Sequence, residues 1–239
     1  MTLIKSISGI RGTIGGAAGE NLTPIDVVRF TAAFGSLMKQ RSGKPRPTCV
    51  LGRDARLSGP MVADLVRGTL VGLGFEVIDL GLATTPTVEM AVPGEGADAG
   101  IILTASHNPK QWNALKLLNA AGEFISAADG AEVLRIAEAG SFAYAGVDEL
   151  GQVRQNSTWT EKHIHAILKL DLVDTRAVAA RKFKVVVDAV NSVGGVAVPM
   201  LLEALGVEVV KLYCEPTGHF PHNPEPLPEH LTDLCAEVV

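Results

Sequence analysis

The chain has 239 residues, 47% of them hydrophobic, and carries 21 Lys and Arg against 26 Asp and Glu, a formal net charge of −5 at pH 7. That composition can bury a sizeable core and excludes a disordered chain, while the acidic balance excludes nucleic-acid binding through bulk positive charge. The three scattered cysteines, Cys49, Cys214 and Cys235, make no disulfide framework, and neither a leader-like start nor an apolar run of membrane-spanning length is evident, so a cytoplasmic protein with no nucleic-acid or membrane partner is expected.

Glycines (25) and prolines (13) separate short aliphatic runs, and aromatics are only 5% of the chain, which is the texture of an α/β protein. A helix is predicted from Thr23, a capping residue followed by Pro24 at the first helical position and Asp26 three residues after the cap. Val27, Phe30, Phe34, Leu37 and Met38 then recur on one buried face. Residues 48–51 read as a buried strand that breaks at Gly52 into the polar turn Arg53, Asp54, Ala55, Arg56. From Pro60, the residues Val62, Leu65, Val66, Thr69, Leu70 and Leu73 fall at helical spacing until Gly74, and 75–80 form the next strand.

This βαβ order returns near the C-terminus. Strand 184–187 leads through Asp188 and Asn191 to a helix over 196–205, then Gly206 and strand 207–210, so two topologically similar domains are expected. Between the copies lie a strand at 100–103, a helix near 128–139, and a helix from Thr160, with the domain join near 151–157. The stretch from Cys214 to Pro228 holds too many prolines for a helix or central strand. Residues 229–239 read as a final helix, after which the second domain looks unfinished.

Strand 100–103 ends in Thr104, Ala105, Ser106, His107, Asn108 and Pro109, a polar loop at the carboxyl end of a strand, where α/β proteins usually bind ligands. Pro109 disfavours a helical Asn108, so the loop is expected to stay extended and present Ser106 outward. A hydroxyl there could act as a nucleophile or carry a phosphoryl group; the same residues also make an ordinary Ser/Asn turn. A Ser hydrolase lacks support, because no Gly-x-Ser-x-Gly elbow or evident acid partner occurs. Cys214, His219 and His222 lack a fourth ligand for zinc, and His163 and His165 sit two apart on a helix and point in different directions.

The run from Thr104 to Pro109, followed by Trp112, Asn113, Ala114, Leu115 and Lys116, resembles the phosphoserine loop of the α-D-phosphohexomutase superfamily, which includes phosphoglucomutase, phosphomannomutase and phosphoglucosamine mutase. Four more segments match in the same order: Ser8-Gly9-Ile10-Arg11-Gly12-Thr13, Gly52-Arg53-Asp54-Ala55-Arg56, Val187-Asp188-Ala189-Val190-Asn191 and the proline-rich 220–228. The resemblance implies repeated three-layer α/β domains with a mixed sheet, here domain I (1–153, with the phosphoserine loop) and an incomplete domain II (154–239).

The implied activity is interconversion of hexose 6-phosphate and hexose 1-phosphate by way of phosphorylated Ser106 and a hexose 1,6-bisphosphate that serves as intermediate and activator. Ser106 is then phosphoryl donor, acceptor and, through its phosphate, a ligand of Mg²⁺. In the phosphoserine loop, which also includes Thr104, Ala105 and Pro109, His107 and Asn108 match the positions that hold the phosphoserine, and the resemblance implies a catalytic role for His107, by a hydrogen bond to the phosphoserine or to the substrate. Lys116 matches the family's general base or electrostatic stabiliser, which needs a lowered pKa to act as a base. Arg11 matches an active-site arginine whose fork suits phosphate, and Arg53, Asp54 and Arg56 buttress the cleft. The family's Asp-Gly-Asp-x-Asp-Arg metal loop does not occur; Asp129-Gly130-Ala131 is the nearest run and fails at its third position. The remaining metal ligands and the sugar-recognition parts are therefore expected from missing C-terminal domains of the same protein, and the 239 residues alone are expected to be inactive. The alternative is a naturally short, non-catalytic relative that binds sugar phosphates or a partner chain.

Overall fold

The computed structural model describes residues 1–6 and 9–238; Ser8 of the first motif and Val239 lie outside the described residues. A seven-stranded mixed sheet organises the first part of the chain, in the order β1 (Ile4–Ser6), β2 (Gly9–Thr13), β6 (Trp112–Leu118), β5 (Ala99–Leu103), β3 (Thr48–Arg53), β4 (Glu76–Leu82) and β7 (Val153–Gln155). β4, β5 and β7 run parallel to the strands they join around β3, while β6, β2 and β1 pair antiparallel.

Strand alternation sends side chains to two faces, and each face has its own core. Cys49, Leu51, Val77, Ile101 and Leu103 pack beneath α1 (Pro24–Ser42), α2 (Gly59–Gly72) and α4 (Ala127–Ala139). Val50, Ile78, Ile102 and Leu118 pack on the other face against α3 (Thr85–Gly94) and Trp159, the first residue of α5 (Trp159–Leu168). The result is a three-layer α/β/α arrangement. The first helix forms as its sequence requires: Thr23 and Asp26 close a capping box around Pro24, and Gly43 ends the helix at φ 63°.

The β3 strand runs two residues further than expected. Gly52 does not end it: the residue stays paired with Ile102 of β5, while the register against β4 shifts between Leu51 and Arg53, and the absent side chain leaves room for Val88, whose Cγ2 would lie 2.4 Å from a Cβ there. Strand β6 and helix α3 had no place in the sequence reading beyond the resemblance, and both matter below.

The second βαβ unit is as expected in kind: β8 (Lys184–Asp188), α7 (Gly194–Ala204) and β9 (Glu208–Leu212), with β8 and β9 parallel in a separate two-stranded sheet. The short α6 (Thr175–Ala180) precedes it and α8 (Thr232–Val238) ends the described chain. Its loops meet the turn that follows β3. The Ala55 N–H points at Ser192 Oγ at 3.4 Å, and Gly218, at φ 75°, passes so close that a Cβ there would lie 2.0 Å from the Ala55 carbonyl oxygen. Among the described residues no helix is long and apolar enough to cross a membrane.

Candidate active site

The carboxyl ends of β3 and β5 lie side by side, tied by the Asp54 N–H to the Leu103 carbonyl at 3.0 Å. The loop after β5 therefore emerges beside the turn after β3. That loop is not extended: Asn108 N–H bonds to the Ala105 carbonyl at 3.0 Å and Trp112 N–H to Pro109 at 3.0 Å, so the chain turns twice before entering β6. Asn108 is not helical, in keeping with the restriction Pro109 places on it, but two local backbone bonds close the loop where an extended course is expected. Ser106 is exposed at its tip with φ 55°, a left-handed conformation that costs an L-residue about 1–2 kcal/mol.

The exposed tip faces a cleft. Ser106, His107 and Asn108 form one wall with Thr104 and Ala105 behind them, and Arg11 and Lys116 approach from the neighbouring strands. Strand register explains the second wall. Arg11 of β2 sits opposite Ala114 of β6, and Lys116 is two residues along from Ala114, so both side chains share a face. The motifs near positions 11, 106 and 116 are thus brought to one place by antiparallel pairing.

Lys116 is half-buried, and its pKa is lowered from the ordinary lysine value, chiefly by burial and further by the nearby Arg11 charge, against the opposing pull of Glu89 and Asp54. Its Nζ lies 5.5 Å over the Phe124 ring. Glu89, on α3, and Phe124 are contributors that the sequence reading missed; with α3 itself unread, no signal pointed to either. His107 Nδ1 stands 3.5 Å from Ser106 Oγ, a loose contact that tightens only if the ring or the serine moves.

The buttress residues do not line the cleft. Asp54 is buried and accepts from Arg56 N–H at 2.9 Å, Arg56 Nε at 3.0 Å and Thr104 Oγ1 at 2.6 Å. Arg53 Nη1 donates to the Asp54 carbonyl at 3.0 Å. Pro109 contributes its carbonyl, which accepts from Arg56 Nη1 at 2.8 Å. Asp129, the near match to a metal loop, instead caps α4 and pairs with Arg41.

A mixed α/β/α layer with a serine-tipped loop at its strand ends, faced by an arginine and a half-buried lysine, defines an α/β domain whose candidate site lies at the carboxyl ends of its strands. The match to known proteins narrows this: a model of phosphoglucomutase/phosphomannomutase α/β/α domain I matches residues 3–144, and one of domain II matches residues 161–239. The chain belongs to the phosphoglucomutase/phosphomannomutase family.

Two relatives and one solved structure illustrate the match. A phosphoglucomutase/phosphomannomutase of Thermococcus kodakarensis is 40% identical over 223 residues, covering 92% of this chain and 48% of its own. A Methanopyrus kandleri protein named as a "probable phosphoglucosamine mutase" is 35% identical over 232 residues, covering 97% of this chain and 48% of its own. The crystal structure of a phosphoglucomutase/phosphomannomutase family protein from Burkholderia thailandensis aligns with TM-score 0.80 at 28% identity, covering all of this chain and 50% of that one. The chain thus spans about half the length of the curated relatives it matches.

Proposed function

We propose that Ser106 carries a phosphoryl group and that the protein interconverts hexose 6-phosphate and hexose 1-phosphate through a hexose 1,6-bisphosphate. The observation that carries this reading is the placement of an exposed Ser106 in one cleft with Arg11 and a lysine of lowered pKa. In the first half-reaction a hexose phosphate hydroxyl attacks the phosphorus on Ser106. The hexose O–P bond forms, the Ser106 Oγ–P bond breaks, the hydroxyl proton passes to neutral Lys116 Nζ, and Ser106 Oγ takes a proton from water at the open cleft. In the second half-reaction Ser106 Oγ releases that proton to water and attacks the other phosphate of the bisphosphate. The departing hexose oxygen then takes the proton held on Lys116.

Arg11 pairs the negative charge of the phosphate through its fork, and His107 and Asn108 bound the phosphoserine. Glucose, mannose and glucosamine phosphates are the substrate candidates, following the relatives' names.

Mg²⁺ would neutralise charge on the transferring group. The donors in this chain do not complete a site for it: among the described residues no cluster of three or more His, Cys, Asp or Glu could hold a metal, and Asp54 is committed to Arg56 and Thr104. The phosphoserine oxygen is one ligand; the others, with the parts that recognise the sugar, come on this reading from the portion of the relatives that the chain does not span. The 239 residues alone accordingly turn over little or no substrate. In the longer protein, a coupled assay of glucose 1-phosphate conversion should show turnover that Ser106→Ala abolishes. Turnover retained by Ser106→Ala would overturn the assignment.

A further inference from the structure

We propose that Arg56 is a positioning residue for phosphoryl transfer at Ser106, its guanidinium fixing the backbone of the loop that carries the serine. The inference rests on the reading of Ser106 given above and deepens it. In the sequence Arg56 reads as a charge in the turn after β3, and the resemblance implies only that it buttresses the cleft. In the structure its side chain is wholly enclosed, at 0% exposure.

An arginine side chain has five N–H donors, and this one places them as follows. Nε donates to Asp54 Oδ2 at 3.0 Å. Nη1 donates to the carbonyls of Pro109 and Trp112 at 2.8 and 3.0 Å. Nη2 donates to the carbonyls of Ser106 and Asn108 at 2.9 and 2.7 Å. Three carbonyls of the loop and that of Trp112, the first residue of β6, thus converge on a single cation, and no donor remains for a ligand's phosphate. Arg56 acts on the reaction through the loop and not by touching substrate, which separates its role from that of Arg11.

The same network grips Ser106 from its other side. Asp54 accepts from Thr104 Oγ1 at 2.6 Å, and Thr104 Oγ1 accepts the Ser106 N–H at 3.2 Å. The serine's N–H and C=O are therefore anchored, through Thr104 and Arg56, to one Asp54 carboxylate. A non-glycine residue persists at φ 55° only where its surroundings over-determine it, and this network is what does so here. The guanidinium carbon lies 5.2 Å from the ring centroid of Phe220, from the proline-rich segment, within cation–π range. Lysine would not substitute, because it offers a point charge in place of a planar fork.

Displacing a reacting group by about 1 Å costs on the order of 10²-fold in rate. In the full-length protein, Arg56→Ala should therefore lower kcat by roughly 10²-fold with the KM for hexose 1-phosphate nearly unchanged. Added guanidinium chloride should restore part of that kcat, where sodium chloride at equal concentration does not, and Arg56→Lys should resemble Arg56→Ala without rescue. If Arg56→Ala does not fold, Asp54→Asn keeps the side-chain volume, weakens the anchor, and should lower kcat about tenfold. Wild-type kcat in Arg56→Ala, or in Asp54→Asn where that variant is needed, would overturn the proposal, as would a loss confined to KM. A wild-type protein without turnover would instead overturn the reading of Ser106 itself.

Discussion

Replacing Thr104 by Val removes one hydroxyl from the network beneath Ser106 and almost nothing else, because the two side chains have nearly the same shape and Thr104 is 9% exposed. Two bonds are lost: the donation to Asp54 Oδ2 at 2.6 Å and the acceptance of the Ser106 N–H at 3.2 Å. A hydrogen bond to a charged partner contributes about 1.5–3 kcal/mol. Asp54 keeps the N–H and Nε of Arg56, so its charge stays paired. The bond from the Ser106 N–H is only partly buried, so water can replace it at little further cost. The expected loss is about 2 kcal/mol of stability. Thr104→Ser retains both bonds and deletes one methyl group, a cost of about 1 kcal/mol. Urea unfolding midpoints of the two variants should fall in the order wild type, Thr104→Ser, Thr104→Val. If Thr104→Val unfolds within about 0.5 kcal/mol of wild type, or if Thr104→Ser is the weaker variant, the hydroxyl is not what holds the loop.

The pH profile of turnover in the longer protein should rise through the lowered pKa of Lys116, since the amine acts as a base only when unprotonated. Glu89→Gln removes a charge that raises that pKa, so the rising limb should move to lower pH; a limb that stays in place would separate Lys116 from the reacting proton. For His222, burial lowers the pKa but bonds to the Asn223 carbonyl and to Asp188, with Nε2 2.8 Å from Oδ2, raise it overall. The folded value exceeds the unfolded one, so this pair's contribution is fully present below the ordinary histidine pKa and is lost as pH rises through the folded value; His222→Asn should flatten that part of the stability curve measured by thermal unfolding. Gly218→Ala puts a Cβ 2.0 Å from the Ala55 carbonyl at φ 75° and should destabilise by at least about 1–2 kcal/mol. Unchanged unfolding would mean that the proline-rich segment does not rest on the turn after β3.

Much of this layout was legible in the sequence because its signals are local. A capping box at Thr23 and Asp26, helical spacing from Val62 to Leu73, and glycine stops such as Gly74 each declare themselves within about three turns of chain. The family motifs supplied the residues of the cleft, and strand register then explained why Arg11 and Lys116 meet. What stayed hidden depends on pairing across long separations. The β6 strand looks like part of a loop motif until β5 and β2 flank it, and α3 carries a proline within its last turns, at Pro93, which masked the helix and with it Glu89. The resemblance implies that Arg56 buttresses the cleft, but how it does so is not legible: a charged residue in a polar turn signals solvent, and nothing local tells of the carbonyls of Ser106, Asn108, Pro109 and Trp112, some fifty residues away, that enclose it.

The most direct test of the central claim is intact mass of the full-length protein after incubation with glucose 1,6-bisphosphate, with peptide mapping of any phosphate gained. The account predicts one phosphoryl group, located on Ser106 and absent from Ser106→Ala. Phosphate on another residue, or active enzyme that carries none, would contradict it.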